Sequence, residues 1–332
     1  MTGAPALRDQ FGRSIEYLRI SVTDRCNFRC TYCMPPGGLE WLPKGDLLSY
    51  EEIAAVVAQL APLGLRRLRI TGGEPTIRPA LDTLLRLLRA VPGIDDIALS
   101  TNGVKFQQDP ALAPRLAAAG LDRVNMSADS LRPERIAAIS RRTLGFDPVA
   151  AARSAEDAGL GPVKLNVVVM RGINDDEIVD FARLTLEHPW HVRFIELMPV
   201  GEMRALTWEH VVPSEEVLER VSALGSLEPG GGPPRGNGPA AYYQLAGGLG
   251  SVGVITPMSH TYCGSCNRVR LTADGQLRTC LFGDHQVNLR DPLRAGGALE
   301  PYFVRALAEK PREHNLLQMQ VGGLRALSQV GG

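Results

Sequence analysis

No stretch of this 332-residue sequence approaches the ~20 consecutive apolar residues that a membrane-spanning helix needs, which argues against an integral membrane protein. Net charge is also lacking: 36 Lys plus Arg face 36 Asp plus Glu, so nothing draws the whole chain to nucleic acid or a lipid surface. Any anion binding must rest on local clusters. Residues 1–10 carry neither the apolar core of a secretory signal nor an Arg-rich amphipathic pattern, and the expected location is the cytoplasm. Cysteine is scarce, and none is left over from two triplets, Cys26, Cys30, Cys33 and Cys263, Cys266, Cys280. A disulfide framework is built from pairs, whereas triplets in a reducing compartment point to metal.

What is present starts with the first triplet, spaced C-x3-C-x2-C directly after a strand expected over 17–22. Three thiolates so spaced can hold three irons of a cubane and leave the fourth without a protein ligand. The alternative is a zinc knuckle or buried cysteines, but structural zinc takes four ligands and no further Cys or His lies nearby in sequence. The second triplet reads C-x2-C-x13-C, with a zinc ribbon completed by His260 as its alternative. Arg268 and Arg270 alternate on one face of a strand beside it. Such arginines are often a solvated face. Beside an open metal position, their two-pronged guanidinium groups suit a polyanion.

Between the triplets the chain alternates. Strands are expected over 17–22, 66–70, 94–100, 123–127, 163–170 and 191–197. Helices are expected over 81–88, 110–119, 133–140, 147–158 and 175–187, with another starting at a Ser49–Glu52 capping box. Six strands alternating with helices make an α/β fold that curls into a barrel or an open sheet. Polar, Gly-rich or sulfur-bearing residues gather at strand C-terminal ends, where such folds place their sites. The rhythm is lost near residue 199, a Gly/Pro loop follows over 228–239, and short strands are expected over 241–245, 250–255, 268–272 and 276–278. A helix is expected near 301–308. The division expected is 1–205 and 206–332, with the second part a smaller α+β region.

The first triplet, with Tyr32 before its last Cys, resembles the signature of the radical S-adenosylmethionine (SAM) superfamily. Gly72-Gly73-Glu74-Pro75, a backbone without Cβ atoms followed by a carboxylate, resembles that superfamily's methionine-binding segment. Residues 18–26, 69–75, 263–271, 280–282 and the Gly331-Gly332 end are similar to the GTP 3',8-cyclase family of molybdenum cofactor biosynthesis. The resemblance implies an incomplete, six-strand TIM-like barrel, two [4Fe-4S] clusters on the six cysteines, and reductive cleavage of SAM to a radical that takes the 3' hydrogen of GTP. The ribose radical then closes onto C8 of guanine, with the purine on the second cluster's open iron. By the same matching Tyr32, Gly73, Glu74, Ser127 and Met198 line the SAM site. Arg19, Arg69, Thr101, Lys164, Arg193, Asn267, Arg268, Val269 and Arg270 contact GTP, and Arg19, Arg268 and Arg270 take catalytic parts.

The Gly331-Gly332 tail is implied to reach the active site near Arg19. A second pair, Gly322-Gly323, lies upstream, and the terminal pair is favoured. Departures from the pattern, Ala128 and Thr279, remove no ligand. The family further implies a homodimer that passes its product to cyclic pyranopterin monophosphate synthase, and leaves the electron donor unnamed. Two competing readings are a radical SAM peptide-modifying enzyme and a structural-zinc or electron-transfer protein. The first uses more C-terminal cysteines and gives the Arg pair no purpose; metal and sulfide content separates the second.

Overall fold

The computed structural model describes residues 7–198, 206–233, 238–314 and 327–331. Period-two alternation builds its sheet. In β1 (Tyr17–Ser21), Leu18 and Ile20 join the hydrophobic core, so Tyr17, Arg19 and Ser21 face the other way. The same phase holds in β2 (Arg67–Thr71), β3 (Asp96–Thr101), β4 (Arg123–Ser127), β5 (Lys164–Val169) and β6 (His191–Glu196). Leu68, Ile97, Val124, Leu165 and Val192 enter the core, while Arg69, Asn125, Lys164 and Arg193 occupy the opposite face. Arg19 lies level with both Arg69 and Arg270, and Lys164 level with Asn125 and His191.

Helices cover the apolar face. These are α1 (Tyr50–Leu60), α2 (Leu81–Arg89), α3 (Val104–Gln108), α4 (Leu112–Ala118), α5 (Pro133–Ser140), α6 (Pro148–Asp157) and α7 (Ile178–Glu187). The capping box opens α1: Glu52 N–H donates to Ser49 Oγ at 3.1 Å and Ser49 N–H to Glu52 Oε2 at 2.7 Å. Ile53, Val56, Val57 and Leu60 then bury completely, each contributing roughly 1.5–3 kcal/mol.

Past residue 205 come α8 (Ser214–Ser222), β7 (Leu227–Pro229), β8 (Ala241–Leu245), β9 (Ser251–Ile255), β10 (Arg268–Leu271), β11 (Gln276–Arg278), β12 (Gln286–Asn288), α9 (Arg290–Arg294) and α10 (Glu300–Ala308). Their strands join the same sheet, in the order β12-β11-β10-β1-β2-β3-β4-β5-β6-β9-β8-β7. The six expected parallel strands are therefore flanked by two more, β10 beside β1 and β9 beside β6, both parallel to them. Beyond them the sheet continues antiparallel, to β11 and β12 on one side and to β8 and β7 on the other, and its two ends do not pair, so the barrel stays open. It is curled nonetheless. In a flat sheet β2 and β6 would lie roughly 19 Å apart at ~4.8 Å per strand, yet the charge of Arg193 acts on Arg69. No helix among the described residues is long and apolar enough to cross a membrane.

Candidate active site between two cysteine triplets

The C-terminal ends of β1 to β4 surround one open cleft. Cys26, Cys30 and Cys33 line it, opposite Gly73, Glu74, Ser127 and Asp129. Gly73 is where the β2 loop touches the cysteine loop: its N–H donates to Thr23 O at 2.7 Å, and a Cβ there would stand 2.2 Å from Arg25 O. Glu74 is fully buried and accepts from Thr76 N–H at 3.0 Å, Thr101 Oγ1 at 2.7 Å and Asn102 N–H at 2.7 Å. Tyr32 donates its hydroxyl to Asp129 Oδ2 at 2.7 Å, and burial pushes that carboxyl up to about 6.

Burial, then the Glu74 charge, pushes the Cys26 thiol up to about 12, and burial pushes Cys33 up to about 11. Buried sulfurs held against ionisation need positive charge, which an iron cluster supplies to its thiolates. Three free cysteines on one cleft wall fit that group.

The second triplet stands at the other end of the strands. Cys263 and Cys266 precede β10, and β11 runs antiparallel to β10, so Cys280 returns to the β10 N-terminal end. The three sulfurs line a smaller cavity with Arg268, Arg270, Tyr262 and Lys310. Burial raises the Cys266 thiol, but Lys310 and Arg268 outweigh it and leave the group below its ordinary value. Arg13 donates to Cys263 O at 2.7 Å and is itself held by Asp9 at 2.5 Å. All three sulfurs are free and cation-flanked, which also fits a cluster.

Between the triplets the inner face is cationic. Arg19, Arg69, Arg123, Lys164, Arg193, Arg268 and Arg270 occupy it, and one carboxylate, Asp96, sits among them. Asp96 is taken by Arg123 through paired hydrogen bonds of 2.8 and 2.5 Å. Burial, followed by Arg123, Arg193 and Arg69, lowers Lys164 to about 6; burial and Arg268 lower Arg270 to about 10. Arg69 Nε, Arg193 Nε and Arg123 Nη1 are buried without a hydrogen-bond partner among the described residues. Like charges crowded together with open donors suit a polyanion by charge and geometry.

The expected site residues divide by position. Tyr32, Gly73, Glu74 and Ser127 share the first cleft, and Thr101 joins them through Glu74 rather than facing the cations. Met198 is half-buried just beyond β6. Arg19, Arg69, Lys164, Arg193, Arg268 and Arg270 come together inside the sheet. Val269 turns its side chain into the hydrophobic core, leaving only its backbone toward a ligand. Asn267 O accepts from the Glu16 and Tyr17 amides at the base of β1. Gly331 lies beside Arg19 and Arg270, while Gly332 and the Gly322-Gly323 pair fall outside the described residues.

Sequence reasoning missed Arg123 and Asp96, although Arg123 shares its strand phase with Asn125 and Ser127. Arg13 and Lys310 offered no local signal, because each meets the second triplet from far along the chain.

The model of the radical SAM superfamily matches residues 20–185, and that described as Molybdenum Cofactor Synthesis C matches residues 190–316. A curated relative from Moorella thermoacetica, named GTP 3',8-cyclase, is 49% identical over 331 residues, covering 98% of this chain and 100% of its own. The relative of the same name from Heliobacterium modesticaldum is 48% identical over 329 residues, with 98% and 99% covered. Among solved structures, Streptococcus suis SuiB bound to S-adenosylmethionine superposes with a TM-score of 0.60 at 14% identity, covering 93% of this chain and 72% of that one. That last likeness shows the fold alone. Taken with the two triplets and the cationic interior between them, the near-full-length identities place this chain in the GTP 3',8-cyclase family of the radical SAM superfamily.

Proposed function

We propose that this protein converts GTP to its 3',8-cyclised dihydro product, the first step of molybdenum cofactor biosynthesis. The observation that carries the reading is the placement of Arg19, Arg69, Lys164, Arg193, Arg268 and Arg270 between two cysteine triplets at opposite ends of one parallel strand set. Cys26, Cys30 and Cys33 would hold one [4Fe-4S] cluster, and Cys263, Cys266 and Cys280 the other. When bound, the first cluster and SAM supply the 5'-deoxyadenosyl radical that removes the ribose 3' hydrogen.

The chain's own residues do the rest by binding and orientation. Tyr32, Gly73, Glu74, Ser127 and Met198 bound the space for SAM. Gly73 lets the β2 loop close on Arg25, so the methionine end can lie against backbone. The inner-face cations fix the triphosphate, because guanidinium forks match phosphate geometry. Arg268 and Arg270 point from β10 into the space beside the second triplet, where a purine held there would meet them. Thr101 acts through Glu74, Asn267 and Val269 through backbone. Gly331 brings the tail to Arg19 and Arg270.

Residues 1–205 supply the radical-generating half of this arrangement and 206–332 the second cluster. The proposal extends to a cytoplasmic homodimer that hands its product to cyclic pyranopterin monophosphate synthase, supported by family membership alone. A peptide substrate would leave the cation cluster without a partner of matching charge.

Anaerobic reconstitution with iron and sulfide, then incubation with GTP, SAM and a strong reductant, tests the reading. A cyclised nucleotide and 5'-deoxyadenosine in parallel amounts are expected. SAM cleavage with GTP left intact would overturn it.

A further inference from the structure

Lys310, two residues past α10, is one of the largest buried side chains among the described residues, 2% exposed. Its ammonium donates to Thr279 O at 2.5 Å, to Arg268 O at 3.1 Å and to Cys266 Sγ at 3.6 Å. A lysine has three N–H donors, and all three are placed. The two carbonyls belong to the residue before Cys280 and to the second residue after Cys266, so one ammonium ties together the two segments that carry these ligands. None of the three acceptors is a carboxylate. The anionic groups that act on the ammonium most strongly are the Cys266 and Cys280 thiolates. A buried cation is costly unless charge compensates it, and here the compensation comes from the sulfurs themselves. Arg13 braces the far side through Cys263 O, but its guanidinium is already paired with Asp9. Arg268 also acts on the Cys266 thiol by its charge, whereas Lys310 places a donor on the sulfur itself.

We propose that Lys310 is a positioning residue for the second iron–sulfur site, which both holds the Cys266 and Cys280 segments in register and raises the reduction potential of the cluster by hydrogen-bonding to the Cys266 sulfur. The inference rests on the reading of the second triplet as a [4Fe-4S] site. Hydrogen bonds to ligand sulfurs and local charge are the levers by which a protein sets such a potential. A donor and positive charge at the sulfur favour the reduced, more negative cluster. Removing them shifts the potential downward.

The test uses the full chain with Cys26, Cys30 and Cys33 each changed to Ser, reconstituted anaerobically, so that only the second cluster reports. The chain has four lysines, Lys44, Lys105, Lys164 and Lys310. Grown with 15N-lysine and reduced, the protein should show a 15N coupling to the cluster in pulsed EPR, and Lys310→Met should abolish it. An EPR-monitored redox titration should show the Lys310→Met midpoint displaced to lower potential at unchanged iron content. A cluster without the 15N coupling, or a Lys310→Met midpoint equal to the parent's, overturns the proposal. If Lys310→Met does not retain its cluster, the coupling in the parent protein decides alone. A parent preparation that binds no cluster overturns the reading of the second triplet together with the inference, and its iron and sulfide content separates that result from the others.

Discussion

Arg270 Nη1 donates to the main-chain carbonyl of Gly331 at 2.5 Å, joining two residues that lie 61 apart in sequence. Arg19 Nε reaches the same oxygen at 3.2 Å. The tail thus presents a carbonyl to two of the cations assigned here to GTP, and its docking depends on a residue with no side chain. Gly331 has a φ of +70°, and a Cβ there would stand 2.7 Å from Thr71 Oγ1.

Gly331→Val should therefore undock the tail without touching the core. The left-handed backbone costs a β-branched residue roughly 1–2 kcal/mol, and the contact with Thr71 adds to it. Turnover is expected to fall about ten-fold or more, since ~1.4 kcal/mol is a factor of ten. Gly331 is buried, so the thermal midpoint should fall too, but only by a few degrees, because roughly 1–2 kcal/mol moves the midpoint of a chain this long little. Full turnover in this variant would mean that the tail contact is incidental.

The Asp96–Arg123 pair gives the second prediction. Both side chains are buried, and Arg123 faces Arg69 and Lys164 as well. Asp96→Ala leaves a buried cation among cations and should destabilise the fold by about 3–5 kcal/mol in urea unfolding. A loss under about 1 kcal/mol would show the pair to be no stronger than an exposed one.

Lys164 makes the third, through pH. Burial, then Arg123 and Arg193, lower it from the ordinary lysine value of 10.5 to about 6. Between those values the unfolded chain holds a proton that the folded one lacks, so ligand-free stability should rise with pH across that window. A bound triphosphate supplies the missing negative charge and returns the proton. Calorimetry of GTP binding at pH 7.5 in buffers of different ionisation enthalpy should show uptake of about one proton more than Lys164→Met does. Equal uptake in the two proteins contradicts the assignment.

Gly73→Ala makes the fourth. Its Cβ would collide with the Arg25 carbonyl, one residue before Cys26. The loop carrying the first triplet must shift, so reconstituted iron should drop by about half as one of two cubanes is lost. Iron equal to that of the parent would show that the loop absorbs the change.

How much of this was legible beforehand depends on range along the chain. The two triplets, the Ser49–Glu52 capping box and the six alternating strands are local patterns, and the structure carries all of them. That β9 and β10 extend the same sheet on both sides was not legible. Val252 and Val254 alternate correctly, but Gly- and Pro-rich segments isolate them, and only pairing with β6 shows where they belong. The site follows the same rule. Arg69, Lys164 and Arg193 each lie on a strand whose pattern is local, whereas their mutual crowding follows from sheet curl, which no window of sequence contains. Lys310 meets Cys266 across 44 residues, and Arg13 meets Cys263 across 250.

In the proposed reaction a SAM-derived radical, formed at the cluster on Cys26, Cys30 and Cys33, removes the 3' hydrogen of GTP held on the inner-face cations. GTP carrying deuterium at C3', incubated anaerobically with the reconstituted protein, SAM and reductant, measures this directly. 5'-Deoxyadenosine bearing that deuterium is expected, formed alongside the cyclised nucleotide. Unlabelled 5'-deoxyadenosine from fully labelled GTP would contradict the proposed reaction.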